Sequence, residues 1–181
     1  DDFDAELEWA YLAYDVSDRF TFRAGRLRAP FYQYSDFLDV SYAYPWIRPP
    51  EEVYSIVNIT GFQGVDLLYN WNTGNWSNEI QAYYGAEDGE VAVNGARAQQ
   101  EVNDFAGLAV ETGNNLLTFR ASVHQGEVTA IVPDIEPLFD TLRQVGFGSV
   151  ADRLEVRDKD ARFYGLFGGY DDGRFFGQVE W

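Results

Sequence analysis

His124 is the single histidine of the chain, and Ser122 stands two residues before it, on the same side of an extended segment. That pair is the nearest the sequence comes to a nucleophile with its base. No positioned acid or oxyanion donor can be named around it, so the chain is not expected to be an enzyme and no catalytic residue is assigned. The absence of cysteine excludes disulfides and thiolate metal sites. The acidic pairs Glu87 with Asp88 and Asp171 with Asp172 lack calcium-loop spacing and read as solvated loop charge. No cofactor and no metal is expected.

What remains is a set of polar side chains suited to touching water and solutes. Arg23, Asp66, Glu79, Gln81, Arg120 and His124 share the hydrophilic side of their strands, with the two arginines as its basic wall and Asp66 and Glu79 as its acidic wall. Between 29 and 57 lies a proline-stiffened loop carrying Asp36, Asp39, Arg48, Glu51 and Glu52. Folded inward, such a loop sets a constriction whose facing charges orient polar solutes; left outside, it is a lid whose aromatics pack together. The formal net charge of −17, from 30 acids against 13 bases, argues against nucleic acid, whose phosphates require clustered Lys and Arg.

The elements that carry these residues alternate between apolar and polar positions along almost the whole chain. In 65–84, Val65, Leu67, Tyr69, Trp71, Trp76, Ile80, Ala82 and Tyr84 take one side of a hairpin, and Asp66, Asn70, Ser77, Glu79 and Gln81 take the other. The same reading gives eight strands: 5–14, 20–28, the two of this hairpin, 104–111, 116–124, 161–170 and 175–181. In the first, Leu7, Trp9, Tyr11 and Ala13 are expected on the apolar side and Glu6 and Glu8 on the wet side. Short connections at 15–19, 72–75, 112–115 and 171–174 alternate with long ones at 29–57, 86–101 and 125–159, the last with helical spacing over 133–147. In an up-and-down meander this gathers every short turn at one end. Tyr14 and Phe20, Trp71 and Trp76, and Tyr170 and Phe175 flank three of those turns, the turn at 112–115 having no such pair, and are read as a membrane-facing aromatic girdle. No apolar run reaches the ~20 residues of a membrane-spanning helix, so a bilayer would be crossed by strands.

Three stretches, "FTFRAGRLRAPFY", "YSDFLDVSYAYPWIRPPEEVYS" and "GFQGVDLLYNWNTGNWSNEIQAYYG", resemble the central part of Gram-negative outer-membrane porins, and "ARFYGLFGGYDDGRFFGQVEW" resembles a late hairpin of the same proteins. The resemblance implies a water-filled, passively conducting antiparallel β-barrel of about 16 strands, of which eight are present here. It further implies a homotrimer in the outer membrane, in contact with bilayer and lipopolysaccharide and passing small hydrophilic solutes or ions, with a long loop folded inward to narrow the pore. Two alternatives stand beside it: a closed eight-stranded structural barrel, whose interior side chains would nearly fill, and a soluble or surface β-domain that binds carbohydrate through its aromatics.

Overall fold

The structure, a computed structural model, describes residues 9–35, 59–93 and 96–181. Eight strands follow one another: β1 (Ala10–Ser17), β2 (Phe20–Arg28), β3 (Gly61–Thr73), β4 (Trp76–Val93), β5 (Ala96–Gly113), β6 (Leu117–Ile131), β7 (Val156–Asp171) and β8 (Phe176–Glu180). Two helices, α1 (Glu136–Gln144) and α2 (Gly148–Leu154), lie between β6 and β7. The strands form one antiparallel up-and-down sheet in chain order. Among the described residues β1 pairs with β2 and β8 with β7, and the sheet is not closed. The closed eight-stranded barrel is therefore corrected to an open sheet with two free edges.

Turn chemistry fixes the short connections. Thr73 pairs with Trp76, leaving Gly74 and Asn75 as a two-residue turn, and Gly74 supplies the positive φ of 63° that matches the twist of the flanking strands. Asn114 accepts from the amides of Leu116 and Leu117 at 2.8 and 2.9 Å, and Asp172 from those of Arg174 and Phe175 at 2.8 and 2.7 Å. Side-chain oxygens thus take the amides that the turning backbone leaves without ladder partners.

At the other end the expected long connection 86–101 is absent: β4 and β5 run on, pairing through Val93 and Ala96. Ala, Gly and Glu give this stretch weak strand propensity, and the ladder of the neighbouring strand overrides it. The third connection likewise contracts to 132–155, since β6 extends to Ile131 and β7 begins at Val156.

Register then decides what each face carries. Arg23 faces Asp66, and Phe22 faces Leu67. Tyr11 and Ala13 pair with Gly25 and Arg23, while Leu12 and Tyr14 pair with Ala24 and Phe22, so β1 presents the side opposite to the expected one. The cause is that 9–14 is apolar at every position, and a run without alternation carries no parity of its own. Glu6 and Glu8 lie outside the described residues.

A bulge reverses parity once more. Between Val102 and Phe105 strand β5 carries an extra residue relative to both neighbours, and Asp104 adopts a φ of 49° there. Below it Phe105, Gly107, Ala109 and Glu111 share the face of Arg23; above it that face receives Ala98, Gln100 and Val102 instead. Leu27, Phe31, Phe62, Tyr83, Val102 and Phe105 form the buried cluster of the molecule, and it sits on this face. On the opposite face Leu67, Leu166 and Val179 are 40%, 53% and 69% exposed. No described helix is long and apolar enough to cross a membrane.

The helical connection is held at its base by Glu155, between α2 and β7. Arg157 donates to its carboxylate at 3.1 and 2.9 Å, and Arg143 of α1 donates to it and to Asp152. The Arg157 hydrogen bonds first, then those of Arg143, hold this carboxyl below the usual glutamate range. A depressed native value contributes stability that is complete above the ordinary carboxylate range, about pH 5 and higher, and disappears as pH falls through the native value. Amide exchange of 136–155, corrected for intrinsic rates, is therefore expected to stay constant above about pH 5 and to accelerate in acid. In Glu155→Gln that acid dependence should vanish.

Candidate functional site

Hydrogen-bonded register stacks the polar residues of the sheet into rows that cross several strands. One row runs Asn70, Glu79, Glu111, Arg120, Phe167, Glu180 from β3 to β8. A second runs Ala13, Arg23, Asp66, Tyr83, Gly107, His124, Phe163 from β1 to β7. The predicted wall residues Arg23, Asp66, Glu79, Gln81, Arg120 and His124 all fall on this one face, because each strand contributes them at the same parity.

Within the face the charges are paired. The Arg23 guanidinium donates through Nε to both Asp66 oxygens at 2.9 and 3.1 Å, with a further contact from its Nη2, and Gln81 donates to the same carboxylate at 2.8 Å. Asp66 is fully buried as a side chain, so these donors replace its hydration. Arg23 also lies 5.3 Å from the centre of the Tyr11 ring. Arg26, which register places at the opposite parity from Arg23, grips Glu87 through two nitrogens at 3.1 and 2.9 Å. Tyr83 hydroxyl and His124 Nδ1 are 2.5 Å apart, and His124 is 1% exposed. The histidine is thus engaged by a phenol rather than a carboxylate.

Residues 29–35, the described beginning of the long connection after β2, lie down on this face. Pro30 carbonyl accepts from Arg120 at 2.8 Å; Gln33 amide donates to Glu180 at 2.8 Å and its side chain to Glu111 at 3.2 Å; Tyr34 hydroxyl donates to Gln178 at 2.9 Å. Phe31 inserts its ring against His124 at 4.6 Å, Phe105 at 5.5 Å and Phe163 at 5.4 Å. Gly165 makes the approach possible, since a Cβ there would stand 2.7 Å from Ser122 Oγ and 3.2 Å from the Phe31 carbonyl. Towards the short turns the face opens into a recess of about 370 Å³ whose lining includes Asn70, Glu79 and Glu111.

Asp36, Asp39, Arg48, Glu51 and Glu52 lie outside the described residues. The aromatics at the short turns occupy the opposite face: Tyr14 pairs with Phe22, Phe20 packs on Tyr69 at 4.5 Å, Trp71 stacks on Tyr69 at 5.3 Å, and Tyr170 pairs with Leu117. Trp76 stacks on Phe119 at 6.4 Å, which brings a ring to the one turn where the sequence showed none. Phe175 sits in the β7–β8 turn and is exposed. Tyr83 and Glu111 were missed as members of the polar face, although their parity with Gln81 and with Phe105 announced them. Gln33 and Tyr34 carried no local signal. Among the described residues no group of three His, Asp or Glu side chains could hold a metal ion.

No family model, curated protein or solved structure matches this chain.

The Arg23 and Asp66 pair gives a direct test of how the face is held. Removing one member of a buried ion pair costs about 3–5 kcal/mol, because the survivor loses its counter-charge where water is scarce. With the Arg23 side chain 18% accessible, Asp66→Ala is expected to fall at the lower end, about 3 kcal/mol, in urea unfolding followed by tryptophan fluorescence. Replacing both residues by leucine should cost less than the single change.

Proposed function

We propose that this sheet is a stretch of wall of a porin-type channel in the outer membrane of a Gram-negative bacterium, through which small hydrophilic solutes and ions diffuse passively. The observation that carries the reading is the asymmetry of the two faces. The apolar, aromatic face has no described element packed on it, whereas the polar face of the same strands is built over by residues 29–35. A soluble sheet hides its apolar face under a second layer; a barrel wall turns that face to hydrocarbon and its polar face to water. Rings near the short turns support a headgroup-level girdle, and the resemblance to porins supports the bilayer, lipopolysaccharide and a homotrimer as surroundings. The outer edges of β1 and β8, without a strand partner among the described residues, support a barrel larger than these eight strands, since every backbone group in lipid needs a partner.

In this reading residues 29–35 narrow the passage. Their polar anchors, Arg120 to Pro30 and Glu180 to Gln33, fix how far the segment stands from the wall. Passage needs no covalent step: the lining charges set which ions concentrate there.

Planar bilayers test this directly, and discrete conductance steps are expected from the full-length protein. Leu67→Arg, on the apolar face, should destabilise the membrane-folded state by up to about 2–4 kcal/mol in urea titrations in vesicles. Glu79→Arg, on the polar face, should insert normally and move the reversal potential towards anions. Equal tolerance of both changes, or a monodisperse protein without detergent and no conductance, overturns the reading.

A further inference from the structure

Near the bulge of β5 the polar face contains a pocket unlike the rest of it. Its volume is about 340 Å³, and Phe31, Phe105, Phe163, Val102 and Val128 supply apolar walls over a floor at Gly126. The bulge at Asp104 produces this composition: it swings Val102 onto the face where unbroken alternation would have placed Asn103 and Glu101. Gln125 and Arg162 also border the pocket; they pair with each other at the opposite parity from His124 and Phe163, so the only charged residue of the lining enters from its edge and not from the wall that the rings form. The polar groups on that face are the Gln100 amide and the imidazole of His124. Tyr83 occupies His124 Nδ1, and Nε2 is buried with no hydrogen-bond partner.

Water is a poor occupant of such a space, because a stably held molecule needs two to four polar partners. A cavity of about 150 Å³ accepts a benzene ring, so about 340 Å³ has room for a ring with its substituents. Ring walls at tilted and edge-on angles favour an aromatic guest over an aliphatic one of equal area. An ionised guest would lose its hydration against apolar walls without a counter-charge.

We propose that this pocket binds a small uncharged aromatic solute of the phenol class, one ring bearing a hydroxyl, held against the contacting rings of Phe31, Phe105 and Phe163. The solute sits on the face that the channel reading turns to water, and its role as a stop for passing solutes rests on that reading; the binding itself does not. Residues 29–35 thereby add selection to narrowing, since Phe31 belongs to both the segment and the pocket.

The test uses the full-length protein in lipid nanodiscs, with 4-fluorophenol followed by fluorine NMR line broadening. Saturable broadening is expected, displaced by phenol, at least about tenfold more weakly by cyclohexanol, and not by benzoate, the gap reflecting ring contacts beyond buried area. Ala161→Phe, which fills the pocket from β7, should abolish the saturable signal; Phe163→Leu, which keeps an apolar wall but removes a ring, should weaken it several-fold with strand content unchanged. Equal signals from wild type and Ala161→Phe, equal displacement by cyclohexanol, or displacement by benzoate overturns the proposal. Conductance is read separately: a protein that conducts without binding phenol loses only this site, and one that binds phenol without conducting loses only the channel.

Discussion

One constraint governs the molecule: neighbouring strands exchange backbone hydrogen bonds in a fixed register, and a slip of one residue would turn every side chain of a strand to the other face. Arg23 meets Asp66 only because Phe22 meets Leu67. The buried ion pair and the exposed apolar face are therefore one decision. In the correct register Asp66 receives donors from Arg23 and Gln81 and gives up no uncompensated hydration. In the slipped one a carboxylate would face the apolar side with nothing to accept from, at a cost far above that of any single apolar contact.

That constraint also explains how a loop can lie flat on a charged surface. Residues 29–35 bring backbone groups that need partners, and the polar rows offer them: Arg120 to a carbonyl, Glu180 to an amide, Gln178 to a hydroxyl. Phe31 contributes the apolar area that a purely polar contact in water would lack, since exchanging water for protein hydrogen bonds yields only about 1 kcal/mol each. The segment is thus fixed by polar geometry and stabilised by one inserted ring, and the buried cluster of the molecule forms where the two meet.

How much of this was legible depended on the distance over which the signal acts. The hairpin 65–84 was readable because its alternation is strict and its turn residues, Asn-Thr-Gly-Asn, demand a reversal. The helical stretch before β7 was readable from the spacing of Ile135, Leu138, Phe139 and Leu142, although α2 after it was not. Residues 86–101 misled because their Ala, Gly and Glu say nothing local about strands, and only the partner ladder makes them extended. β1 misled for the opposite reason, being apolar on both sides. The anchoring of Gln33 on Glu180 spans 147 residues of sequence, and neither residue's neighbours hint at the other. Among the predicted wall residues the sequence yielded the common face but not the pairing, because parity is a property of one strand and pairing of two.

The bulge shows why parity alone is an incomplete guide even where it holds. Below Asp104 the polar-face residues of β5 alternate as expected; above it the same face takes Val102 and Ala98, each about 1% exposed, in place of Glu101 and Asn103. One added residue at a left-handed φ, which aspartate tolerates better than most side chains, exchanges a charged patch for an apolar one without altering a single residue type. The polar face consequently carries two chemistries in series: a hydrophilic stretch of paired charges nearer the short turns, and an aromatic recess towards the long connections. On the channel reading proposed above, a solute moving along this face would pass from a surface that rewards hydrogen bonding to one that rewards shedding water, and the order of the two, rather than any one residue, would set the discrimination.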